Sequence, residues 1–270
     1  MTAAKKYFSF FGIRFTAALQ YRAAALAGVA TQFAWGFMEI ILFGAFYEAD
    51  PAAFPMERQA LASYVWLQQA TLAMFMLWKM DTSIFESIRS GGVALEQCRP
   101  LDVYTMWFTR NCASRLADML LRCVPILVVT SFLPKPWGMA LPVDSVAAGM
   151  FVLSAVLGAF VVVAALMLIY ISAFYTLNPT GVRLFAATIA EFASGAVIPL
   201  PFMPDAVQRV LAVLPFASMQ STPFLIWGGT LADREAWAAI ALQVFWLIAL
   251  VIAGRLWMRA ALRKVVAQGG

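Results

Sequence analysis

Four polar side chains stand in stretches that are otherwise apolar: Glu39, Gln68, Gln69 and Glu191. An ionisable group inside a membrane-length apolar run is costly, and it faces protein or a water-filled cavity. Two such carboxylates suit a translocation path for a lipophilic cation, or a proton or ion relay. The glutamines can line the same path or tie neighbouring helices together. Other chemistry lacks the residues to carry it. The chain has no histidine, which removes the commonest metal ligand and general base, so no metal site is expected. Cys98, Cys112 and Cys123 form no CxxC pair. None of the lysines (Lys5, Lys6, Lys79, Lys135, Lys264) follows a glycine, so there is no Gly-Lys-Ser/Thr loop to cradle phosphates. No serine pairs with a base, and an intramembrane enzyme is not indicated.

The elements that hold these residues follow from composition. Of 270 residues 63% are hydrophobic and 12% charged, against about 25% charged in soluble domains, and mean hydropathy is +0.82. The pattern predicts an all-α polytopic membrane protein with one domain, 1–270. Residues 5–20 form an interfacial amphipathic helix, with Tyr7, Phe8, Phe11, Phe15, Ala18 and Leu19 on one face. Lys5 and Lys6 precede a stretch broken by Arg14, Gln20 and Arg22, which does not read as a cleavable signal. Six transmembrane helices are expected near 22–47, 60–79, 103–133, 144–176, 182–198 and 236–257. The third is long, and its first half bears Arg110, Arg115, Asp118 and Arg122; Asp118 and Arg122 stand at i,i+4 spacing for a pair. Between the fifth and sixth, Pro199, Pro201, Pro204, Pro215 and Pro223 cut 199–230 into pieces too apolar for a free loop and too short to span. A re-entrant helical hairpin fits, because irregular backbone at membrane depth must be covered by protein or line a cavity.

Of the 19 Lys and Arg, only Arg58, Lys135, Arg209 and Arg234 fall on one side of this arrangement. The other side is therefore cytoplasmic. It holds both termini and the longest polar loop, 81–102, while the proline-rich hairpin lies outside. A positive balance of this kind reflects membrane orientation rather than a nucleic-acid partner.

The 81–102 loop reads as a small helix-turn-helix. Ser83 can be an N-cap, with Glu86 completing a capping box. Arg89 suits the helix C-terminus, and Gly91-Gly92 can supply a left-handed stop. A second helix spans Val93–Cys98 and ends before Pro100, which disfavours helix at Arg99. A plain connection needs only a few residues. This loop uses about twenty and is expected to expose Ile84, Phe85, Ile88 and Leu95, as a partner surface would; packing of these side chains back onto the third helix is the other reading.

The order of elements resembles the membrane permease of type-2 ATP-binding-cassette (ABC) exporters over the whole chain. Within that family it looks like a bacterial subfamily in which two permeases pair with one ATPase, some linked to export of viologen-like cations and drugs. The residues that carry the resemblance are Phe85-Glu-Ser-Ile-Arg-Ser-Gly91, Cys98-Arg-Pro-Leu-Asp102, Gly195-Ala-Val-Ile-Pro-Leu-Pro201 and Leu214-Pro-Phe216. The resemblance implies that 81–102 is a cytoplasmic coupling segment on which an ATPase subunit acts through Ile84, Phe85, Glu86, Ile88, Arg89, Leu95 and Arg99. It implies ATP and Mg bound by that partner and no cofactor in this chain, a second permease (identical or homologous), and a bacterial plasma membrane with lipid around the spans. The expected activity is export of a hydrophobic or cationic small molecule by alternating access. The competing expectation is an ion-coupled secondary transporter built on Glu39 and Glu191.

Overall fold

The structure is a computed structural model, and it describes residues 3–20, 22–52, 54–176 and 178–264. Leu177, expected near the end of the fourth helix, and residues 265–270 of the expected 1–270 domain lie outside the described residues. Among the described residues every regular element is helical: α1 (Ala3–Ala18), α2 (Arg22–Ala49), α3 (Arg58–Phe75), α4 (Thr82–Arg89), α5 (Val93–Gln97), α6 (Val103–Ser131), α7 (Ser145–Ser172), α8 (Thr180–Ala193), α9 (Asp205–Val213), α10 (Ser221–Trp227) and α11 (Asp233–Leu262), with a 3₁₀ turn at Leu200–Phe202.

The bundle is built around α3. Its residues are buried from Leu61 to Phe75, Leu72 alone being only partly so. A helix without a polar stripe has no solvent face to offer, and α3 is accordingly surrounded by α2, α6, α7 and α10. Trp66, Trp107, Tyr64 and Tyr170 are the largest fully buried side chains. The uncharged helix α7 packs along α11 and α10. Helix α1 lies along α6, with Tyr7, Phe10, Phe11, Arg14 and Phe15 part-buried at i, i+3, i+4 spacing. Phe8, expected on that face, is exposed, because one residue from Tyr7 is a turn of 100° away from it.

By length and composition three helices can cross a membrane: Ala25–Ala49 of α2, Ser145–Ser172 and Asp233–Leu262. The other expected spans are shorter or charged. α3 has 18 residues, and the first half of α6 carries the charges noted above. α8 has 14, about 21 Å of helix. It stops at Ala193 rather than reaching Ile198, because Ser194 caps it and Gly195 turns left-handed at φ 80°. Glu191 is therefore in the last turn of a short helix, not mid-way along a long one.

After α8 the proline-rich stretch folds back into the bundle. Fully buried Gln243 of α11 fixes its turn: Nε2 donates to the Ser218 carbonyl (2.9 Å) and the Ser154 carbonyl (3.0 Å), while Oε1 accepts from the Ser154 hydroxyl (2.9 Å). Trp246 Nε1 donates to the Val213 carbonyl at the end of α9 (2.9 Å). Gln243 lies about 15 Å along α11 from Asp233, so the turn is deep. α10 then returns to Trp227, whose indole donates to the Ala140 carbonyl in the loop between α6 and α7 (3.0 Å). Gly158 of α7 makes this seat possible, since a Cβ there would collide with the Met219 carbonyl oxygen. Gly158→Ala should destabilise the solubilised protein by about 1–3 kcal/mol, read as a lower unfolding temperature. An unchanged temperature would mean that the hairpin is not seated against α7.

Candidate functional site

The 81–102 segment forms the expected pair of short helices, with a different cap. Asp81, not Ser83, is the N-cap: its carboxylate accepts from the Ser83 amide (3.0 Å) and the Ser83 hydroxyl (2.9 Å). The capping box is not formed, and Glu86 pairs instead with Arg89 at 2.9 Å. A carboxylate one residue before the helix does the same capping work with a charge that also suits the N-terminal dipole. Gly91 provides the left-handed stop at φ 75°. Asp102 caps α6 by accepting from the Thr105 amide (2.8 Å).

The apolar face of α4 points inward. Ile84 is 0% and Phe85 8% exposed, which corrects the expectation that both are presented to a partner. A short amphipathic helix buries its apolar face in whatever core stands beside it, and here that core contains Met74, Trp107 and Tyr170. The Phe85 ring lies 5.0 Å from Tyr170, and the Arg183 guanidinium stands 4.6 Å above it. Ile88 is half-buried. What is exposed is Leu95, at 76%, and with it Glu86, Arg89 and Arg99.

Polar contacts bolt this hairpin to the bundle. Arg110 of α6 pairs with Asp81 (2.5 Å) and donates to the Ser83 hydroxyl (2.5 Å). The Trp107 indole donates to Glu96 of α5 (2.6 Å). The Asp81 amide donates to the Tyr170 hydroxyl (2.6 Å), which in turn donates to Asn111 (3.2 Å). The Asp102 amide donates to the Tyr7 hydroxyl of α1 (2.9 Å). Burial, with Arg110 beside it, holds the Arg14 guanidinium of α1 below its ordinary value; Asp81 and Glu96 partly offset this. Arg115, 2% exposed, donates to the carbonyls of Met74 (3.1 Å), Met76 (2.8 Å) and Lys79 (2.7 Å) at the exit of α3. Asp118 pairs with Lys79 of that exit rather than with Arg122 on its own helix.

Glu39, Gln68, Gln69 and Glu191 do not converge on one point. Glu39 accepts from Gln69 at 3.5 Å, and Gln32 donates to the Gln69 carbonyl (2.8 Å). Gln68 instead donates to the Ala196 carbonyl (2.6 Å) just past α8. Glu191 borders a small cavity of about 20 Å³ with Leu72, Ser194, Ala196 and Gln220. Gln32 and Gln243 carry the same signal as Gln68 and Gln69, an amide in an apolar run, and could have been found by it. Arg115 could not, since it reads as one more cytoplasmic charge. Asp81→Ala removes both the cap and the Arg110 partner and should weaken the hairpin by about 1–3 kcal/mol. Amide hydrogen exchange over 82–97 would rise while that of α7 stays protected. Equal exchange in both proteins would refute the Asp81 bolt.

The family described as ABC-2 family transporter protein matches residues 33–269. A search of curated proteins finds no match. The matched stretch runs from the middle of α2 through α11 and includes the hairpin, Glu39, Gln68, Gln69, Glu191 and the fold-back segment. The chain belongs to the ABC-2 transporter family, membrane transport subunits that work with an ATPase partner.

Proposed function

We propose that this chain is the permease of an ABC exporter in a bacterial plasma membrane. It spans the bilayer six times with both termini cytoplasmic, and it acts with a second permease and separate ATPase subunits that bind ATP and Mg. The observation that carries the reading is the 81–102 hairpin. It is capped at Asp81, sunk into the core through Ile84 and Phe85, and tied to α6 and α7, yet it leaves Glu86, Arg89, Leu95 and Arg99 exposed. A rigid element that exposes an apolar side chain and several charged ones suits transmission of force from a partner. Ile84 and Phe85 then act as the root that carries the push into the bundle, and Leu95 with its charged neighbours acts as the contact.

Six spans are supported by the wide apolar surface that α2, α6, α7, α8 and α11 leave exposed and by the distribution of Lys and Arg. The short helix α8 then crosses together with the chain that follows it. Glu39, Gln68, Gln69 and Glu191 remain candidates for the transport path of a hydrophobic or cationic small molecule. The ion-coupled alternative needs its carboxylates in one relay. Glu39 meets Gln69 while Glu191 borders the cavity beside Leu72, and no hydrogen bond links them among the described residues.

Two measurements test the proposal. Leu95→Asp should reduce co-purification of the ATPase by about tenfold or more, the loss of a central apolar contact, with the hairpin still folded by hydrogen exchange. Phe85→Asp should unfold the hairpin itself. Undiminished ATPase recovery with Leu95→Asp would count against this contact. A reporter fused after Lys135 should report an external position, and cytoplasmic behaviour would overturn the six-span arrangement.

A further inference from the structure

Arg122 of α6 is a cation for which the described residues provide no acceptor. Its Nε is sealed from solvent without a partner. Asp118, one turn earlier on the same helix, is taken by Lys79. Arg115 is met by three carbonyls, which satisfy its hydrogens but carry no full charge. Arg115 and Arg122 both lie within electrostatic reach of Lys79, and Asp81, the carboxylate that also acts on it, is held by Arg110. Three cations therefore share one carboxylate of their own, Asp118.

The seat of the guanidinium is shaped by α2. Gly28 faces it, and a Cβ at that position would stand 2.8 Å from Arg122 Cζ. A bare glycine thus lets α2 close on the planar group. Gly28 lies about one turn into the stretch Ala25–Ala49, which is long and apolar enough to cross a membrane. Two turns further along each helix, on the same face, Trp35 follows Gly28 and Val129 follows Arg122. They are 53% and 45% exposed. The cationic seat is therefore the end of an apolar seam. A half-buried guanidinium placed so calls for an anion, and the seam beside it suits an anion with an apolar tail.

We propose that the cleft between α2 and α6 at Gly28 and Arg122 binds one anionic phospholipid, with its phosphate on the Arg122 guanidinium beside Lys79 and an acyl chain along the seam of Trp35 and Val129. A guanidinium takes a phosphate through two parallel N–H bonds, and basic pockets between spanning helices on the cytoplasmic side hold such headgroups. A headgroup with its own ammonium would add a fourth cation, so phosphatidylglycerol is favoured over phosphatidylcholine. The bound phosphate supplies the charge that Asp118 spends on Lys79. It also joins α2 to the exit of α3 from which the 81–102 hairpin hangs. That the lipid comes from the inner leaflet rests on the orientation proposed above, while the site itself does not.

Native mass spectrometry of the purified full-length protein in detergent counts the bound lipid. Titration with phosphatidylglycerol should fill one tight site, and phosphatidylcholine should bind there about tenfold more weakly. Arg122→Gln should weaken phosphatidylglycerol binding by about tenfold or more. Gly28→Ala, which pushes the guanidinium from its seat, should weaken it in the same direction and decides the matter if Arg122→Gln does not fold. Hydrogen exchange over α7, as slow as in the unaltered protein, is the check on folding. Arg259→Gln, on the exposed basic end of α11, should leave the tight site unchanged. Unaltered binding in the folded Arg122→Gln or Gly28→Ala variant, or an equal loss with Arg259→Gln, would overturn the site. Inorganic phosphate should not displace the lipid; displacement at equal concentration would make this a site for a soluble anion and overturn the lipid assignment. The measurement needs no ATPase, so its failure is read separately from failure of the exporter reading.

Discussion

A guanidinium buried among helices is tolerated only where its donors find acceptors, since an unpaired buried charge is among the costliest groups a fold can contain. Arg115 meets this condition at the point where α3 leaves the bundle. A helix ends with carbonyls that have no intrahelical donor. Here the last turn of α3 and the chain after it present the Met74, Met76 and Lys79 carbonyls to one fork, leaving only Nε without a partner. The negative end of the α3 dipole adds to the attraction. The direction in which the chain emerges is thereby set, and with it the position of Asp81 two residues after Lys79. The contacts of the 81–102 hairpin with α6 and α7 depend on that exit.

The middle of α3 is tied as closely. Tyr64 and Gln68, one helical turn apart, hold the carbonyls of Gly195 and Ala196 where α8 breaks. The same helix therefore grips the hairpin exit at its end and the break after α8 along its middle. Its burial on all sides explains why it can connect them: α3 cannot shift without displacing α2, α6, α7 and α10 around it. The polar residues on α3 act first as fastenings between elements, and Gln69 alone meets one of the candidate carboxylates, Glu39.

Much of this was legible in the sequence where local chemistry decides. The two short helices between 81 and 102 were bounded by Gly91 and Pro100, which act through their own backbone geometry. The fold-back segment was marked by its prolines. Legibility failed where a neighbour decides. Ile84 and Phe85 read as an exposed face because nothing local says which way an eight-residue helix rolls; the core around Tyr170 settles it. Ser83 and Asp81 are both good caps, and Arg110, distant in sequence, selects Asp81. The end of α8 was missed because Ser194-Gly195 sits in an apolar run that continues to Ile198, and the break is sustained by Tyr64 and Gln68 from another helix. Glu191 was consequently placed at the centre of a span that ends two residues after it.

The Gln243 amide spends both of its hydrogens and its oxygen on Ser154 and Ser218. Three separate stretches of chain are thereby welded at one point with no freedom to slide. Shearing α7 against α11 would leave several buried polar atoms unpaired at once. The junction of α7, α11 and the fold-back turn is thus a stiff block, and the compliance that any cyclic motion requires is pushed toward the chain between α8 and α9, where a glycine and prolines replace helix and the backbone has fewer bonds to break.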